Sequence, residues 1–146
     1  MIQRDPDDPR FAPVMLRGEL VEDGWNDRAI AAMCRGGAWV RVRRGAYVEM
    51  HYWRCLDDAG RHEVKTRAVL KQANADLVVS HTSAVPFYDG PTWGLDLTSV
   101  HGTRVDGKAG RAEAGVRQHR GKLVEGDVTE RHGVMVMAPE RVAIEV

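Results

Sequence analysis

The stretch WNDRAIAAMCRGGAWVRVRRGAYVEM, residues 25 to 50, constrains the fold more than any other part of the chain. It holds a helix marked at both ends and a hairpin directly behind it. Asn26 is placed to cap the helix, and Asp27 sets negative charge against the positive end of the helix dipole. Ala29, Ile30, Met33 and Cys34 share one face at helical spacing, with Arg28, Ala31, Ala32 and Arg35 on the other. Gly36-Gly37 supplies the stop. Trp39, Val40 and Val42 then lead through Arg43-Arg44-Gly45 to Ala46, Tyr47 and Val48, which reads as strand, turn and strand. Upstream, Val14, Met15, Leu16, Leu20 and Val21 recur at helical spacing, and Gly18 divides them into two short helices that end at Gly24. Helix, helix and hairpin together predict a winged helix-turn-helix over residues 11–50. The charged, proline-rich MIQRDPDDPR before it reads as a flexible leader.

The hairpin is unusual in its charge. Arg41, Arg43 and Arg44 crowd one tight turn, and residues 35 to 48 hold four arginines and no acid. Two explanations stand: the arginines solvate an edge and discourage aggregation, or they lie against something negative. In a winged helix the second explanation has a mechanism. The helix 27–36 enters the major groove, where Arg28 and Arg35, seven apart and near one face, meet guanine edges or phosphates. Asn26 either reads adenine or caps. Arg41, Arg43 and Arg44 clamp phosphates or reach into the minor groove. The whole chain gives no such signal, because its 21 basic and 21 acidic side chains cancel. Residues 1 to 60 carry nine arginines against ten acids, so the positive charge is a local patch.

Beyond residue 50 the pattern changes. Residues 61 to 75 read as an amphipathic helix, Leu77 to Val79 as a short apolar strand, and SHTSAVPFYDG as a short helix opened by Ser80 and limited by Pro86. LDLTSVHGT, GVRQHRG and DVTERHGVMVM read as strands, the last a hairpin turning at His132-Gly133. APERVAIEV looks like the start of a helix with no stop signal, which suggests a chain shortened at its C-terminus. The expected fold class is α+β: a winged helix-turn-helix, then over 51–146 a small mixed domain with helices and an antiparallel sheet.

Four stretches resemble one known family. GWNDRAIAAMCRGGAWVRVRRGAYV is similar to the N-terminal winged helix of AbiEi-type antitoxin regulators, with its pattern of helix cap, short Arg- and Ile-bearing helix, then G-x-W-x-R-x-R-R-G-x-Y. VVSHTSAVPFYDGPTWGL, LTSVHGTR and HRGKLVEGDVTERHGVMVMAPERV extend the likeness from about residue 12 to the end. The family's Ser-Pro-Ala-Arg-Thr-like helix start is here Ala138-Pro139-Glu140-Arg141-Val142, an imperfect match. The resemblance implies a sequence-specific DNA-binding transcriptional repressor that autoregulates its operon. Its partners would be double-stranded operator DNA with an inverted repeat, a cognate toxin protein, and a second copy of itself as a homodimer. Two alternatives stay open: a toxin-neutralising protein-interaction module without DNA binding, and the targeting half of a restriction-endonuclease-like nuclease.

Other residues invite other chemistry. Arg104, Lys108, Arg111, Arg117, Arg120 and Lys122 form a second basic patch against Asp106 and Glu113, which either contacts flanking DNA or an acidic toxin or is a solvated, glycine-rich loop. Asp57, Asp58 and Glu63-Val64-Lys65 loosely imitate the D…ExK set of metal-dependent nucleases, but on a helix Glu63 and Lys65 point to different sides. His51, His62, His81, His101, His119 and His132 are scattered, with no metal-ligand spacing between them, and His81 reads as a hydrogen-bonded packing residue. Ser80 and Ser83 lack a nucleophile elbow, and no glycine-rich phosphate loop is seen. The expectation is therefore no enzyme, no catalytic residue, no cofactor and no metal. Trp25, Trp39 and Trp53 read as core or interface anchors, with Trp39 packing under the wing. Trp93, in DGPTWGLDL, is the one expected to be exposed. Cys34 and Cys55 read as reduced thiols, and no apolar run reaches the length of a membrane span, so the expected location is the cytoplasm.

Overall fold

A computed structural model describes residues 3–73, 77–106, 110 and 112–146 of the chain. They form a mixed α+β protein of two compact units, Met1–Gln72 and Ala73–Val146.

The first unit begins with a 3₁₀ turn, Pro9–Phe11, whose N-cap Asp8 accepts a hydrogen bond from the Arg10 backbone N. Then come β1 (Met15–Leu16), α1 (Arg17–Glu22), α2 (Asp27–Arg35), β2 (Trp39–Arg43), β3 (Ala46–Glu49), α3 (Met50–Trp53) and α4 (Asp58–Gln72). The first of the two helices expected before Gly24 is a strand. Met15 and Leu16 pair with Tyr47 and Ala46 on the open edge of β3, and that pairing outweighs their helical spacing. The three strands lie in the order β1-β3-β2, all antiparallel.

Apolar side chains cover both faces of this small sheet. Ala46 and Val48 of β3, with Val42 of β2, meet Ala12, Val14, Leu56, Val64 and Ala68. Trp39 instead packs with Leu20 of α1 and Ile30 of α2, joined by Met15, Trp25, Met33, Cys34 and Tyr47. The period-two alternation of a strand sends Tyr47 one way and its neighbours the other. Because α4 completes the first cluster, the unit runs to Gln72 and the boundary expected at residue 50 lies inside it.

The leader is also more tightly held than its composition predicts. Arg4 is buried, forms an ion pair with the fully buried Glu63 of α4, and lies 5.5 Å over the Phe11 ring. Arg67 approaches the same carboxylate at 3.4 Å. Burial drives the Glu63 carboxyl upward in pKa, and the two guanidiniums pull it back.

The second unit contains β4 (Leu77–Val79), a 3₁₀ helix (His81–Tyr88), β5 (Val100–Arg104), β6 (Ala112–Glu113), β7 (Val116–Arg120), β8 (Val128–Arg131), β9 (Val134–Met137) and α5 (Pro139–Glu145). Its sheet is larger than expected and mixed, not antiparallel: six strands in the order β6-β7-β5-β4-β9-β8, with β4–β9 and β5–β7 parallel. His132 (φ 51°) and Gly133 (φ 82°) both take left-handed values at the β8–β9 turn, as a two-residue hairpin loop requires. The helix opened by Ser80 is 3₁₀ throughout and contains Pro86, whose missing N–H leaves a regular α-helix one bond short. Phe87, Val79, Val136 and Met137 are fully buried, and the Tyr88 hydroxyl donates to the Met137 carbonyl at 2.8 Å. Among the described residues no helix is long and apolar enough to cross a membrane.

Candidate nucleic-acid interface

α2 forms where the sequence marks it. Asn26 Oδ1 accepts the Ala29 N–H at 2.8 Å, so its side chain is engaged as the N-cap. At the other end Gly36 N–H returns to Ala32 O, and Gly37 takes φ 80°. Ile30 is buried, Ala29, Met33 and Cys34 are half-buried, and Arg28, Ala31, Ala32 and Arg35 are exposed. Burial raises the Cys34 thiol, which keeps it protonated.

The acid at the start of α2 is neutralised. Arg17 of α1 grips Asp27 with two bonds, Nε to Oδ1 at 2.7 Å and Nη2 to Oδ2 at 2.9 Å. This guanidinium holds the Asp27 carboxyl below its ordinary range. Lys71 does the same for Glu19, whose Oε1 also accepts the Leu16 backbone N–H. Acids that cancel the arginines in a plain count are thus tied up locally.

The hairpin separates its three arginines. Arg41 and Arg44 are exposed, and among the described residues no hydrogen bond or ion pair engages the side chains of Arg28, Arg35, Arg41 or Arg44. Arg43 behaves differently. A register shift between Arg41 and Arg43 sets Arg43 opposite Ala46, on the sheet face that α4 covers. Its Nη1 donates to Gln72 Oε1 at 2.6 Å, while Gln72 Nε2 donates to the Arg44 carbonyl at 2.8 Å. Gln72 thereby clamps the turn from below, and the half-buried Arg43 is part of that clamp.

The second basic patch is split as well. Arg104 and Arg120 are directly paired in the parallel register of β5 and β7 and share a sheet face, whereas Arg117 pairs with His101 on the other. Arg104 is engaged with Asp106 (Nε to Oδ1, 3.0 Å) and with Gln118 (3.1 Å). Arg117, Arg120 and Lys122 are exposed. Lys108 and Arg111 lie outside the described residues. Of the D…ExK imitation, Glu63 is buried against Arg4 while Lys65 is exposed, and Asp57 Oδ1 accepts the Gly60 N–H at 2.8 Å. Trp93 is 95% exposed.

The histidines are not all scattered. His81, His101 and His119 each present a ligand atom within 4.8 Å of the other two. His81 stacks on His119 with ring centroids 3.8 Å apart, and His101 Nδ1 faces His119 Nε2 at 2.9 Å. Burial lowers the His119 pKa, the His81 and Arg117 charges add to that, and the Glu145 carboxylate opposes it. Nothing in the linear spacing reveals this trio. It depends on the register Val100↔Val116, which sets the second residue of β5 diagonally beside the fourth of β7.

Comparison with family models, with curated proteins and with solved structures finds no match to this chain.

Proposed function

We propose that residues 11 to 72 form a winged helix-turn-helix that binds double-stranded DNA, and that the protein is a sequence-specific transcriptional repressor. The observation that carries this reading is the placement of the four disengaged arginines. Arg28 and Arg35 occupy the exposed face of α2, and Arg41 and Arg44 occupy the hairpin that follows it. The order β1-α1-α2-β2-β3 with sheet order β1-β3-β2 also supports it, since a winged helix presents its second helix and its hairpin on such a frame.

In this reading α2 lies in the major groove. Arg28, near its N-terminus, reads a base edge, and Arg35, two turns on, reads an edge or holds phosphate. Arg41 and Arg44 grip the backbone beside it and release counterions. Asn26 caps and does not read. Autoregulation of an operon, a dimer on an inverted repeat and a cognate toxin follow from the family resemblance and belong to the same proposal. Repression is by occupancy, so no catalytic group is needed.

The test is fluorescence anisotropy on DNA from upstream of the protein's own gene at two salt concentrations. Saturable binding is expected. Arg41→Ala/Arg44→Ala should weaken it on all sequences and reduce the salt slope by about two, roughly one per phosphate contact. Arg28→Ala should relax preference for the upstream sequence over a scrambled one, at a cost of about 1–3 kcal/mol. Absence of binding at low salt would overturn the reading.

One observation favours a second reading, in which the protein acts on a protein partner. A tryptophan left 95% exposed is costly in water and frequent in interfaces. Retention of a co-expressed partner by the wild type but not by Trp93→Ala, with no DNA bound, would select that reading.

A further inference from the structure

His81, His101 and His119 come from three elements of the second unit, and each is brought to the others by backbone hydrogen bonding. His101 lies on β5 and His119 on β7, on the same face of a parallel pair. The His101 backbone N–H donates to Ser83 Oγ at 2.8 Å, which ties β5 to the 3₁₀ helix. His81 opens that helix with φ 54°, a left-handed value uncommon outside glycine. The buried Ser80 before it is fixed by the Thr103 hydroxyl at 2.8 Å. Strained backbone of this kind persists only where the surroundings over-determine it, and such positions cluster at functional sites.

As packing elements these rings are poorly chosen. Three imidazoles side by side repel once protonated, and all three are only half-buried. As ligands they are well chosen. Neutral imidazole is the commonest nitrogen donor to divalent transition metals. Two facing nitrogens 2.9 Å apart can share only one hydrogen. An ion bound at about 2.0–2.1 Å from each would hold them roughly 3.3 Å apart. With that hydrogen moved to the other nitrogen of its own ring, the ion asks the pair to open by only a few tenths of an ångström and to swing off their common line.

The surroundings of His81 complete the argument. Its Nδ1 lies 2.9 Å from Ser80 Oγ and 3.9 Å from Glu145 Oε2. Ser80 Oγ can accept a proton held on Nδ1, and the nearby Glu145 carboxylate favours the proton on that side, which leaves the Nε2 lone pair for an ion; ligating histidines are ordinarily oriented in this way by a carboxylate or hydroxyl behind them. Glu145 is itself held by Arg141 at 3.6 Å. Three nitrogen donors without a carboxylate among them suit zinc and its neighbours and not magnesium or calcium.

We propose that His81, His101 and His119 bind one divalent transition-metal ion of the zinc class through three imidazole nitrogens, with Ser80 and Glu145 orienting His81 and a fourth coordination position open. The site lies wholly within the second unit and does not depend on the DNA-binding reading.

The experiment uses the full chain, stripped with a chelator and titrated with Zn²⁺ by calorimetry and with Co²⁺ by visible absorption. One ion per chain is expected, with the intense ligand-field bands of tetrahedral Co²⁺, proton release on binding and a raised melting temperature. His119→Ala and His101→Gln, each checked by circular dichroism, should lose affinity by about 100-fold or more, beyond what loss of an outer partner costs. His51→Ala, at an exposed histidine of the first unit, should change nothing. Glu145→Gln should weaken binding about 10- to 100-fold while leaving the Co²⁺ bands tetrahedral, because all three donors remain. Failure of the wild type to bind, or one ion still bound by the folded triple variant His81→Ala/His101→Ala/His119→Ala, would overturn the proposal.

Discussion

Asn26 had two readings in the sequence, cap or base reader, and its Oδ1 sits as the cap. With Oδ1 already accepting the Ala29 N–H, Asn26→Asp keeps the cap, whereas Asn26→Ala removes it at about 1 kcal/mol, measurable as a lower urea midpoint at unchanged slope. DNA affinity retained by the alanine variant at temperatures where it is folded would agree with a capping role alone. Asp8 gives a pH test. Its bond to the Arg10 side chain holds its pKa at about 2, against an ordinary 3.8. A carboxyl depressed on folding contributes stability that is complete above its unfolded pKa and is lost as pH falls through the folded one. The contribution should therefore fade between about pH 4 and pH 2, and Asp8→Asn should flatten that part of a melting-temperature profile. Arg4 shows what a sequence hides. MIQRDPDDPR reads as a loose leader because it is charged and proline-rich, but Arg4 meets Glu63 from 59 residues away. Arg4→Ala removes the ion-pair partner of a fully buried carboxylate and should cost about 3–5 kcal/mol by chemical denaturation.

At the scale of elements, what was legible was local. The cap, the inward face and the glycine stop of α2 are written within ten residues, and α4, β4, the β8–β9 turn and the start of α5 are equally short-range signals. What was not legible depends on pairing between distant segments. Met15-Leu16 is a strand only because β3 has an edge to fill. Arg43 is tied to Gln72 because of a register shift that is invisible in VRVRRG. The wing variants should accordingly divide. Arg41→Ala/Arg44→Ala should leave the unfolding free energy within error, since no hydrogen bond or ion pair of those side chains is lost, while Arg43→Ala should lower it by about 1 kcal/mol through the freed Gln72 amide. Equal effects of the two on stability would contradict the clamp. The histidine trio was missed for the same physical reason: residues 81, 101 and 119 become neighbours only through the parallel β5–β7 register.

For the whole molecule, the prediction is autonomy of the first unit. Both of its apolar clusters draw only on residues within Met1–Gln72, so a fragment ending at Gln72 should unfold cooperatively and retain whatever DNA affinity the full chain has. A fragment ending near residue 50, where the helix, helix and hairpin pattern places the boundary, lacks Leu56, Val64 and Ala68 and should fail to give a cooperative melt.

The strand order of the second unit bears on how the protein is made. β4, its first strand, lies at the centre of the sheet between β5 and β9, its last. A chain emerging from the ribosome can close the first unit early, from neighbours already synthesised. The second must hold β4 with one edge unfilled until translation reaches Val134–Met137, the longest-range pairing it makes. For that interval the apolar run Leu77–Val79 is an exposed template, and a nascent chain stalled before β9 is the species most in need of a chaperone.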